Sequence, residues 1–94
     1  MLPESFEEQA NETFDNLEKV LASVGGSFDD VYELHVMLSD RSFYGPLNEI
    51  FRERFPKRGF VGSGTVADLL APRLKIEVAA NAYLANPRAQ DDLG

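Results

Sequence analysis

Phe55-Pro56-Lys57-Arg58-Gly59-Phe60-Val61, answered downstream by Leu74-Lys75-Ile76-Glu77-Val78, is the stretch of this chain on which the reading turns. Each segment reads as the start of a short β-strand. Arg58 brings a guanidinium that can take a carboxylate in a two-pronged grip. Glu77 sets an acid on a strand that is otherwise apolar. If the two strands pair, Arg58 and Glu77 face one pocket, with an anion holder beside a proton-transfer group. The bland alternative is a cross-strand ion pair, the commoner state of an isolated Arg and Glu.

The chain around this stretch has 94 residues, enough for one domain near the small end of what buries its own core. Its hydrophobic content of 44% is too high for disorder. Cysteine is absent, which removes disulfides, thiolate metal sites and a cysteine nucleophile. His35 is the single histidine and excludes a multi-histidine metal centre. No cofactor is called for. A net charge of −7 would repel a phosphate backbone, so nucleic acid is disfavoured as a partner. No apolar run reaches the length of a membrane span and no signal pattern opens the chain, so a soluble cytoplasmic protein is expected.

Upstream, Ser5-Phe6-Glu7-Glu8 has the form of a capping box. Phe6, Ala10, Phe14, Leu17, Leu21 and Val24 then recur at helical spacing, with Val20 widening the stripe. Gly25-Gly26 ends this helix. After a turn at residues 27–30 the period changes to two. Tyr32, Leu34, Val36 and Leu38 are expected on the face under a helix; Val31, Glu33, His35 and Met37 fall on the other. His35 there is more often a hydrogen-bonded structural residue than a catalyst. A second helix is predicted to about Arg54, with an irregular or 3₁₀ turn over 41–45 and Pro46 as its first helical residue. Residues 57–66 read as a glycine-rich strand, 67–72 as a loop or short helical turn, 74–84 as the last strand and 85–94 as a polar mobile tail. The order is α-β-α-β-β, an α+β fold with two helices on one face of a small sheet.

These signals, in this order, resemble the Rid (YjgF) family of reactive-intermediate imine/enamine deaminases. The resemblance is carried by Glu8-Gln9-Ala10, Phe14-Asp15-Asn16-Leu17, Val24-Gly25-Gly26-Ser27 and Asp29-Asp30-Val31. It continues through Val36-Met37-Leu38-Ser39-Asp40, Tyr44, Asn48, Pro56-Lys57-Arg58 and Lys75-Ile76-Glu77-Val78, covering residues 6–84 of a single domain. It implies a chorismate-mutase-like fold assembled as a homotrimer, with active sites between subunits and no metal or cofactor. It implies a hydrolase that converts 2-iminobutanoate- or 2-iminopropanoate-type intermediates to 2-oxo acids and ammonia. Arg58 matches the arginine that binds the substrate carboxylate, and Glu77 the glutamate that orients or activates the water. Asn48 matches a helix asparagine near the cleft.

Three departures accompany the resemblance. Family members begin with a hairpin and a further strand, carrying a tyrosine and a serine of the pocket. Here the sequence opens almost at the first helix, and the N-terminal strands are missing. Their loss is expected to bare a sheet edge and an apolar face. Phe60 stands where deaminases often have cysteine, making the substrate pocket bulkier and drier. Nineteen positions (77 minus 58) separate Arg58 from Glu77, a longer connection than the best-known deaminases have. The alternative function is a non-catalytic trimeric member that binds a small carboxylate through Arg58. An RNA-cleaving activity conflicts with the −7 charge and the lack of a histidine pair.

Overall fold

A computed structural model describes residues 2–57 and 59–84. Helix α1 spans Phe6–Ser23. Ser5 caps it, its Oγ accepting the Glu8 amide at 3.1 Å. The Glu8 carboxylate accepts from the Ser5 hydroxyl instead of reaching the backbone, so only half of the expected capping box forms. At the far end Gly25 adopts φ 85°. The amides of Gly25 and Gly26 return to the carbonyls of Ala22 and Leu21, a Schellman closure that needs the left-handed glycine. The core stripe runs through Phe6, Ala10, Phe14 and Leu21. Val20, expected to widen it, is 63% exposed and lies outside it.

A 3₁₀ turn over Phe28–Asp30 leads into β1, Val31–Leu38. Leu34, Val36 and Leu38 are buried as expected, but Val31 is buried and Tyr32 is exposed. The cause is a register shift between Val31 and Glu33 in the pairing with the last strand. A bulge adds one residue and reverses the alternation upstream of it.

After β1, Asp40 caps a second 3₁₀ turn, Arg41–Phe43, and α2 follows over Tyr44–Arg54. Pro46 is thus the third helical residue, not the first. Its missing N–H costs nothing there, because the first four amides of a helix lack intrahelical partners. Arg54 ties α2 to α1, donating to Asp15 Oδ1 at 2.6 Å and to the Asn11 carbonyl at 3.1 Å.

Strands β2 (Val61–Val66) and β3 (Ile76–Ala82) complete a three-stranded sheet in the order β2-β1-β3. Both are shorter than the sequence suggested. β1 pairs with β2 in parallel and with β3 antiparallel. The anticipated pairing of β2 with β3 is therefore wrong: β1 lies between them. A parallel partner must be reached by a crossover, and α2 supplies it. The two helices cover one face, and Phe14, Leu34, Leu38, Leu47 and Ile76 form the innermost core. The tail over 85–94 lies outside the described residues.

Candidate active site

The face of the sheet opposite the helices carries the odd-numbered residues Glu33, His35 and Met37 of β1. Across β3 these meet Asn81, Ala79 and Glu77 in register. Glu77 therefore stands beside Met37 on the helix-free face. Its Oε1 is buried and has no hydrogen-bond partner among the described residues. A buried acceptor left unpaired is unfavourable by roughly 1–3 kcal/mol, so a donor from beyond the described residues would stabilise this oxygen.

Two registers along β1 build a polar network beside it. The parallel ladder sets Ser63 next to His35, and Ser63 Oγ lies 2.6 Å from His35 Nδ1. Glu33 lies 3.4 Å from His35 Nε2 through one oxygen and accepts from Asn81 at 2.6 Å through the other. His35 fits the structural reading made of it in that both ring nitrogens have neighbours. Ser63 was missed altogether. Its place beside His35 depends on which strand β2 joins, and the local pattern of β2 does not encode that.

Asn48 and Phe60 occupy the other face. They line a cleft of about 220 Å³ between α2 and β2, with Leu34, Val36, Leu47 and Phe51 as apolar walls and Tyr44 at its edge. Phe60 also borders a second cavity of about 180 Å³ with Phe28 and Phe55. Lys57 and Gly59, the chain neighbours of Arg58, line that cavity, and Lys57 bonds Asp29 at 3.2 Å. Arg58 itself lies outside the described residues. Asn48 and Phe60 thus come together, while Glu77 is separated from them by the sheet. Among the described residues no cluster of three or more His, Asp or Glu is placed to hold a metal ion. No described helix is long and apolar enough to cross a membrane.

Two helices on one face of a mixed sheet, with a half-buried acid on the bare face, define a small α+β protein of chorismate-mutase-like type. The family model described as Endoribonuclease L-PSP matches residues 1–84. The chain belongs to this family, the Rid or YjgF family. It is 28% identical over 76 residues to the 3-aminoacrylate deaminase RutC of Acinetobacter baylyi, covering 81% of this chain and 60% of that protein. The chain thus spans about 60% of the length of that curated relative. Among solved structures it is similar to RidA of an Antarctic Psychrobacter, with a TM-score of 0.84 and 27% identity over 89% of this chain and 68% of that one. It is also similar to a YjgF-family member from Mycobacterium tuberculosis, with a TM-score of 0.79 and 25% identity over 87% and 70% of the two chains.

Proposed function

We propose that this protein hydrolyses small enamine or imine carboxylates, of the kind 3-aminoacrylate represents, to oxo acids and ammonia. Arg58 holds the substrate carboxylate. An enamine first tautomerises to its imine. Glu77 takes a proton from the water that adds to the C=N carbon and passes it to the nitrogen. It then relays the proton of the new hydroxyl to the nitrogen as the C–N bond breaks, leaving an oxo acid and ammonia. An imine carbon is already electrophilic, so positioning and one weak base are sufficient. The observation that carries this reading is the buried Oε1 of Glu77 on the helix-free face, which has no hydrogen-bond partner among the described residues. The likeness to a deaminase at 28% identity supports the reaction class.

Asn48 and Phe60 stand on the far side of the sheet from Glu77 in one chain. This separation supports a crevice completed between copies in a homotrimer, which we place in the cytoplasm. The same separation favours the second reading, a non-catalytic module that binds a small carboxylate through Arg58 without turnover. RNA is a poor substrate for a chain of net charge −7. The test follows hydrolysis of an enzymatically generated 2-imino acid by the protein and by Arg58→Ala. A large rise in KM in the variant is expected. Equal kinetics would reject the role of Arg58, and binding of a 2-oxo acid without hydrolysis would select the module.

A further inference from the structure

The cleft between α2 and β2 owes its space to two glycines. Gly62 and Gly64 stand beside the buried Leu34 and Val36 in the parallel register, on the helix side of the sheet, yet both are exposed. At these positions the edge strand offers backbone where another residue would place a side chain. Gly62 has a backbone reason to be glycine, since a Cβ would come 2.8 Å from the Leu34 carbonyl oxygen. At Gly64 the nearest atoms a Cβ would meet all belong to the Tyr44 side chain, so this glycine makes room for Tyr44 at the edge of the cleft.

The space left is about 220 Å³. An apolar cavity of about 150 Å³ already holds benzene, so the volume admits a phenyl or an isobutyl group. Phe51 and Phe60 line it with rings set edge to face, their centroids 6.0 Å apart, and a further ring would find tilted partners there. No Asp, Glu, Lys or Arg is among the described residues that line the cleft. Its polar side chains are Asn48, Ser63 and Tyr44, and the Asn48 amide makes no hydrogen bond among the described residues. Apolar walls with a few polar groups are the form of a small-molecule site.

We propose that this cleft receives the side chain of the substrate, and that the substrates are 2-imino acids with an aromatic or branched apolar side chain, a phenyl ring being preferred to a methyl group. The inference rests on the reading that Arg58 holds the substrate carboxylate: Phe60, on the cleft wall, follows Arg58 by two residues. It narrows that reading to the larger apolar members of the class. A charged side chain is disfavoured, because it would lose its water and meet no opposite charge on the cleft walls.

The test is titration calorimetry of the full chain with four 2-oxo acids, the products of such substrates: pyruvate, 4-methyl-2-oxopentanoate, phenylpyruvate and 2-oxoglutarate. Phenylpyruvate is expected to bind at least about 10-fold more tightly than pyruvate, with 4-methyl-2-oxopentanoate between them and 2-oxoglutarate weakest. In Gly64→Leu, which fills the cleft, the ratio of phenylpyruvate to pyruvate affinity should fall to about one. The graded series on the unaltered protein stands even if this variant fails to fold. Equal affinity for pyruvate and phenylpyruvate would overturn the inference and leave the role of Arg58 intact; a side chain of a neighbouring copy filling the cleft would give that result. A preference for phenylpyruvate kept at full affinity in Arg58→Ala would reject the role of Arg58 and uphold the cleft. Binding of none of the four would overturn both.

Discussion

Gln9 is the buried polar side chain that holds the approach to the candidate site. It is 2% exposed, its amide donates to the carbonyls of Pro3 and Arg73, and its oxygen accepts the Lys75 amide at 2.8 Å. It thereby anchors the two residues leading into β3, and with them the register of Glu77. In Gln9→Leu these backbone groups lose their partner inside the protein, and a loss of about 2–3 kcal/mol is expected. Urea unfolding would show it as a lower midpoint at unchanged slope. Asp40 acts differently. Hydrogen bonds from the Ser42 side chain and amide hold its carboxyl below the ordinary aspartate range. A depressed folded value means that this stabilisation is whole above the unfolded pKa, about 3.9, and is lost as pH falls through the folded one. The stability difference between wild type and Asp40→Ala should therefore shrink as pH drops below that range, measured by denaturant titration at successive pH values. The Ser5 cap was legible in the sequence because its partner lies three residues away. The role of Gln9 was not, because two of its three partners are 64 and 66 residues away.

The elements show the same division between local and distant information. α1, the core phase of Leu34–Leu38 and the apolar face of β3 were readable from period alone. The bulge that buries Val31 was not, because it arises from a mismatch with β3 rather than from β1 itself. The conditional pairing of β2 with β3 fails for a similar reason: a glycine-rich edge strand carries no label for its neighbour. Its glycines do have a reason. A Cβ at Gly64 would collide with the Tyr44 hydroxyl, and one at Gly62 would come 2.8 Å from the Leu34 carbonyl oxygen. Gly64→Ala should displace Tyr44 from the edge of the α2–β2 cleft and cost about 1–3 kcal/mol. Most of that loss should vanish when Gly64→Ala is made in a Tyr44→Ala background, a coupling read from a double-mutant cycle. Gly62→Ala has no such rescue, since backbone cannot move aside.

At the scale of the molecule, both helices pack on one face of the sheet, and among the described residues no helix covers the other. Phe14 lies within 5.7 Å of Phe51 and 5.5 Å of Phe55 between ring centroids, so the core gathers on the helix side. The opposite face keeps Glu77 half-buried, with one oxygen unpaired among the described residues. The α+β order was legible because each helix and strand has its own period. The assembly of the proposed site was less so, because a crevice completed between copies would leave no pattern in one chain. Mass measured in solution should correspond to three chains; a single-chain mass at working concentration would contradict an intersubunit site. The most direct test of the central claim is the rate of imine hydrolysis by Glu77→Gln, which keeps the shape of the side chain and removes its basicity. The proposed mechanism predicts that kcat falls about 100-fold or more while KM changes little. A kcat equal to that of the unaltered protein would contradict it.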